Sequence, residues 1–169
     1  MTLKSRLLGA VPHGIALFMS AVFLDSLRFK FTDHPKTQVI FGRLNAWATD
    51  VGFPGLFAHT GLFSQYVIGS IELLAAALLL VGIAPRFRHL QAAGALAGFL
   101  VMAGAVSFHL FTPLGVDPNN DGGGLFAAAC VNLSASVLML GVFRRRDFGL
   151  FLSRVAAIFA PAKPSLVRS

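Results

Sequence analysis

The chain has 169 residues, one domain's worth. Of these, 56% are hydrophobic and only 12% charged, and the mean hydropathy is +0.74. A soluble domain carries about twice that charge, so the composition argues against a soluble enzyme, a disordered chain and a free nucleic-acid binder. The net charge of +7 comes from basic residues placed between and beyond long apolar runs, where membrane topology accounts for them more simply than nucleic acid does.

A spanning helix needs about 20 mostly apolar residues, and four stretches qualify. The first is Leu7 to Leu27, interrupted by Pro12, His13 and Asp25. It follows Lys4 and Arg6 as a signal peptide would. It is long for such a segment and no clean small-x-small cleavage site follows, so it reads as a retained span. In the connection that follows, Ile40, Phe41, Leu44, Trp47, Ala48 and Val51 recur at helical spacing, after Pro35 and before Gly52 and Pro54. This pattern predicts an amphipathic helix lying on the membrane, with Trp47 at the bilayer interface.

The second span is Leu62 to Ile83, with Gln65 and Glu72 inside it. The third is Leu90 to Phe111, carrying Gly94-x-x-x-Gly98, a small-residue spacing that allows close helix approach. The fourth is Gly124 to Phe143, which contains the single cysteine, Cys130. One thiol forms neither an intrachain disulfide nor a CxxC pair, and Cys130 reads as a small hydrophobe. A second amphipathic stretch, Asp147 to Ala160, carries a Phe148, Phe151, Leu152, Val155 and Phe159 stripe beside Arg144, Arg145 and Arg146, suited to anionic lipid.

The resulting expectation is an all-α integral-membrane four-helix bundle over residues 1–143, followed by a basic amphipathic tail over 144–169. Ten Lys and Arg residues fall on the side of the two termini, against four on the other side. Both termini are therefore expected in the cytoplasm, with the long first connection and the Thr112–Gly123 loop outside.

Polar residues inside the spans carry the functional expectation. Glu72 lies 10 positions into its span, about 15 Å deep. An acid there costs at least a few kcal/mol unless paired or protonated. Two roles suit it: a proton-handling group, or a protonated tie to Asn132 across the bundle. Asp25 ends the first span, His109 closes the third, and Asp121 opens the fourth. Turned inward, the Gly14, Phe18, Ala21 and Asp25 stripe and the Asp121, Leu125, Ala128, Asn132 and Ser136 stripe would form a pocket open outward, with Glu72 and Asn132 at its floor. Glu72 and His109 are the catalytic candidates; Gln65, Asn132, Asp25 and Asp121 are candidates to bind a cofactor. An interfacial histidine bonded to a carboxylate is the plain alternative for His109. His59, His109, Asp25 and Asp121 have no metal-motif spacing, and no membrane-buried bis-histidine pattern for haem is present. No metal is assigned.

Several segments resemble DoxX-like membrane proteins. They are Arg28-Phe-Lys-Phe-Thr-Asp-His-Pro, Thr60-Gly-Leu, Ile71-Glu-Leu-Leu-Ala-Ala-Ala-Leu-Leu-Leu, Ser107-Phe-His-Leu-Phe-Thr-Pro-Leu-Gly-Val and Asp121-Gly-Gly-Gly-Leu-Phe. The resemblance runs from about Leu8 to Phe143. It implies a four-helix membrane fold, with Glu72, His109 and Asp121 matching the family's polar pattern. Some relatives are membrane subunits of thiosulfate:quinone oxidoreductase or of other redox and oxidative-stress assemblies, and many have no assigned activity. The basic amphipathic tail departs from the short tail of the family. The implied function is an inner-membrane subunit or accessory of a quinone-linked redox complex in a bacterial cytoplasmic membrane. Quinone is the implied cofactor, and the implied partners are the bilayer and a membrane or peripheral redox protein, with oligomerisation open and no nucleic acid. The alternatives are a non-catalytic membrane scaffold and, less favoured, a small proton-linked carrier using Glu72.

Overall fold

The computed structural model describes residues 3–158, with side chains described over 9–158. Every regular element among them is helical: α1 (Leu3–Lys30), α2 (Pro35–Asp50), α3 (Gln65–Val81), α4 (Leu90–Phe111), α5 (Gly124–Leu138) and α6 (Arg145–Ile158). A short 3-10 turn, Pro85–Phe87, joins α3 to α4, and α5 runs into one π-helical turn, Met139–Phe143. Three stretches are long and apolar enough to cross a membrane: Gly9–Lys30, Leu90–Phe111 and Gly124–Phe143. The fourth expected span is shorter as a helix. α3 has 17 residues, about 25 Å at 1.5 Å per residue. Its start at Gln65 is set by Ser64, whose hydroxyl accepts from the Val67 amide. Its end at Gly82 lies hard against Gln91, where a Cβ on the glycine would come within 2.5 Å of the glutamine side chain.

α1, α3, α4 and α5 enclose one core, built from Ala16, Met19, Phe23, Ala75, Ala76, Leu79 and Ala95 with Met139 and Leu140 of the π-helical turn. The outward faces carry Leu17, Leu73, Leu74, Val131 and Val137, all exposed. In lipid such surfaces gain nothing by association, so small residues and close van der Waals fit hold helices together. The two glycines of Gly94-x-x-x-Gly98 serve different neighbours. A Cβ on Gly94 would lie 2.9 Å from the Ala75 carbonyl oxygen and 2.9 Å from the Leu79 nitrogen, so α3 and α4 touch backbone to backbone. Gly98 instead faces the Phe23 ring and the Met19 methyl of α1.

α1 outruns its expected end by a turn. The buried stripe Ala16, Met19, Phe23 and Leu27 continues at helical spacing to Lys30. α2 starts where expected, with Pro35 at its first helical position, and ends before Gly52, whose φ of +91° breaks the helix. Its apolar face is spent on protein rather than lipid. Leu44 and Ala48 are buried with Phe57 and Leu114 in a second core, and half-buried Trp47 lies edge-on to Phe108. α2 and the α2–α3 loop thus cover one end of the bundle, termed here the loop end. At the opposite end α6 leaves from Arg144, and only Phe148 packs back onto the main core. The expected stripe residue Phe159 and the expected end at Ala160 lie outside the described residues.

Candidate functional site: a cavity at the loop end

Beneath α2 lies a cavity of about 840 Å³, within the usual range for small-molecule sites. α1 contributes Phe18, Ala21, Asp25 and Lys30; α4 contributes Leu100, Gly104, Phe108 and His109; α5 contributes Leu125 and Ala128. Lys36, Thr37, Ile40, Phe41 and Leu44 of α2 form its roof, and Glu72 stands on the α3 side. The two stripes read from the sequence do meet here, along their upper halves.

Glu72 is 2% exposed, and the alternative of a tie to Asn132 does not hold, because neither side-chain polar atom of Asn132 is hydrogen-bonded. The partner of Glu72 is Lys30. The ammonium lies 3.1 Å from Oε1 and 3.0 Å from Oε2, and it also donates to Ser26 Oγ. A buried carboxylate demands such a partner, because an unpaired charge away from water is far costlier than a pair. The last turn of α1 lies against Gly69, where a Cβ would come 3.5 Å from the lysine stem and 3.2 Å from the Phe31 ring. The pair therefore joins α1 to α3 at the cavity wall.

Gln65 does not line the cavity. Its amide donates to the Lys30 carbonyl oxygen at 2.8 Å and to Asp33 Oδ1, and its own oxygen accepts from Gln38 Nε2 at 2.9 Å. Tyr66 donates to the same Asp33 oxygen at 2.7 Å. Asp33 itself takes a left-handed conformation, φ 52°, to turn the chain from α1 toward α2. These contacts latch the α1–α2 turn onto the start of α3. The Tyr66 phenol holds the Asp33 carboxyl below its ordinary value; desolvation opposes it, and Gln65 and His59 add to the lowering.

His109 is 6% exposed and lines the cavity. The expected carboxylate neighbour is replaced by a backbone group. Its Nδ1 is within hydrogen-bond distance of the Gly115 carbonyl oxygen, which only accepts, so Nδ1 carries the proton and donates. Nε2 then remains as the free nitrogen of the ring, which lies 5.4 Å from the Phe126 ring. Asp25 lies on the cavity rim and pairs with Arg28 at 2.9 Å, both largely exposed. Asp121 also reaches the cavity. It precedes α5 by three residues, and its Oδ1 accepts from the Gly124 amide at 3.0 Å while its own amide donates to Asp117.

Asn132 lies below the cavity on α5, fully buried, with neither side-chain polar atom hydrogen-bonded. Ser136 donates to the Asn132 backbone carbonyl oxygen one turn further on. Of the six sequence candidates, Glu72, His109, Asp25 and Asp121 converge on one cavity, while Gln65 and Asn132 stand outside it. Sequence reasoning does not single out Lys30, one of the four basic residues on the side of the long first connection. It also misses the α2 roof. Comparison of the chain with protein families, with curated proteins and with solved structures finds no match.

Proposed function

We propose that the chain is a DoxX-like inner-membrane protein, a subunit or accessory of a quinone-linked redox complex, whose loop-end cavity holds a quinone head group. In this reading four helices cross a bacterial cytoplasmic membrane and both termini face the cytoplasm. Support for a crossing α3 comes from its two ends. Gly69 is level with Lys30 at the end of α1, and Gly82 is level with Gln91 at the start of α4. Its 17 residues thus cover the distance between the ends of two longer spans.

The observation that carries the functional reading is the cavity's chemistry. Its wall is aliphatic and aromatic, and its polar points include an ammonium–carboxylate pair and a histidine. A flat ring with two carbonyl oxygens and an apolar tail needs such a site: apolar walls for the ring and few, fixed donors for the oxygens. Lys30 supplies one donor. Glu72 and His109 are the groups able to accept or deliver a proton as a bound quinone is reduced or a quinol oxidised. The Lys30–Glu72 pair also supports a second reading, a scaffold in which the pair only fixes α1 against α3.

Trp47 separates the two. It is the sole tryptophan, and it packs on Phe108 of the cavity wall. Titrating a short-chain quinone into nanodisc-embedded protein should quench Trp47 saturably. Ala128→Phe, which projects a ring into the cavity from α5, should abolish the saturable part. Linear quenching that is identical in both proteins would contradict quinone binding and leave the scaffold.

A further inference from the structure

At the end opposite the cavity, the start of α6 is held by polar contacts to the bundle. Arg144 donates through Nε and Nη2 to Gln91 Oε1, at 2.9 and 2.5 Å, and the Gln91 amide lies 3.2 Å from His13 Nδ1. Gln91 is fully buried, so α1, α4 and the start of α6 are tied through one side chain. The π-helical turn just before Arg144, closed by its amide donating to the Met139 carbonyl oxygen at 2.7 Å, sets the direction in which the chain leaves the bundle. Beyond Phe148 the helix touches nothing that buries it. Phe151, Leu152, Val155 and Ile158 form one stripe, and all four are exposed. Arg145 and Arg154 fall on the two flanks of that stripe, and Arg146 and Ser153 fall opposite it.

Among the described residues, the ion pairs leave the exposed arginines at this end without a carboxylate in contact. The ion pairs among the described residues are Asp25–Arg28 and Lys30–Glu72, both toward the loop end. Arg86, Arg88, Arg145, Arg146 and Arg154 therefore have no carboxylate within 4.0 Å among the described residues. Burial draws the Arg144 guanidinium below its ordinary value, with Asp147 opposing and nearby Arg88 adding to the lowering.

We infer that α6 is a surface-lying helix docked on anionic phospholipid. Its apolar stripe enters the acyl boundary, and the arginines at this end take lipid phosphates as their counter-charges. Two features select lipid over a protein partner. α6 follows α5 directly, a helix apolar enough to span, so it emerges at the bilayer surface. The stripe is narrow and flanked on both sides by arginines, whose stems cover apolar surface while their heads stay at the phosphate level. Each such cation near an anionic leaflet contributes attraction that a zwitterionic leaflet does not supply.

The test uses the full chain with Cys130→Ala and a single introduced cysteine, labelled with an environment-sensitive fluorophore, in nanodiscs. Val155→Cys reports the stripe, Leu152→Cys repeats the reading one turn earlier, and Ser153→Cys reports the opposite face. In discs containing phosphatidylglycerol, the 152 and 155 probes should be blue-shifted and quenched by chain-labelled lipid, and the 153 probe should remain water-like. In purely zwitterionic discs, or with Arg145, Arg146 and Arg154 all changed to Gln, the quenching at 152 and 155 should fall at least severalfold. Equal quenching on both faces, indifference to lipid charge, or protection that appears only with more than one copy per disc would overturn the inference; the last outcome would assign the stripe to self-association.

Discussion

A carboxylate and an ammonium that meet at a buried point become liabilities separately. Removing one partner of such a pair costs about 3–5 kcal/mol, whereas replacing both by apolar groups of similar volume is often neutral. Glu72→Gln should therefore lower the thermal stability of detergent-solubilised protein strongly, by stranding the Lys30 ammonium, and Lys30→Met/Glu72→Met should restore most of it. Near-additive losses in that cycle would contradict the pairing. From sequence, Glu72 stands out because it is an acid deep in an apolar run. Lys30 does not, since it lies three residues past the expected end of the span at Leu27, between Phe29 and Phe31. The interval from Leu27 to Lys30 continues the buried stripe, and that spacing was the available signal. Asp33 makes a second case. Its lowered carboxyl contributes stability that is present above the unfolded value of about 3.9 and lost as pH falls through the lower folded value. Tyr66→Phe removes the leading cause of the lowering, so the acid-induced release of α2, followed by Trp47 fluorescence, should move up toward pH 4. An unchanged midpoint would mean that the latch does not hold α2.

At the scale of elements, period and capping located the helices better than they located the neighbours. α4 was read as Leu90 to Phe111 and is found so, because its apolar run is cleanly bounded by a Pro-containing turn and a Thr-Pro step. α2 was placed correctly, but its apolar face was assigned to lipid. Amphipathicity says that a face is covered, not what covers it, and the Phe57 and Leu114 partners come from the α2–α3 and α4–α5 loops. The small-residue spacing on α4 likewise promised close approach without naming the partner. The contacts now rank its two glycines. Gly94→Ala must push backbone atoms of α3 apart and should cost about 1–3 kcal/mol as overpacking. Gly98→Ala meets only the ends of the Phe23 and Met19 side chains, which can turn aside, and should cost clearly less. Thermal melts of the two variants in one detergent check the order, and equal losses would refute it. Cys130 is half-buried on α5 and lines neither the cavity nor the described hydrogen-bond networks, so Cys130→Ala should leave stability and quinone binding unchanged.

At the scale of the whole molecule, a small-residue core joins two ends of different character. The loop end gathers Glu72, Lys30 and His109 around a roofed cavity, and the tail end presents an apolar stripe and arginines that have no carboxylate partner among the described residues. Convergence of the α1 and α5 stripes was legible because helical periodicity survives folding intact. The roof was not, because a cavity closed by a loop-borne helix depends on long-range packing that no local pattern encodes. The central claim is that the loop-end cavity takes a quinone. Photolabelling of nanodisc-embedded protein with an azido-quinone, followed by peptide mapping, tests it most directly. Adducts should appear on the cavity walls, around Phe18 to Lys30 of α1 and Leu100 to His109 of α4, displaced by unlabelled quinone and lost in Ala128→Phe. Labelling confined to outward residues such as Leu73, Leu74 and Val131, and undiminished by competitor, would contradict it.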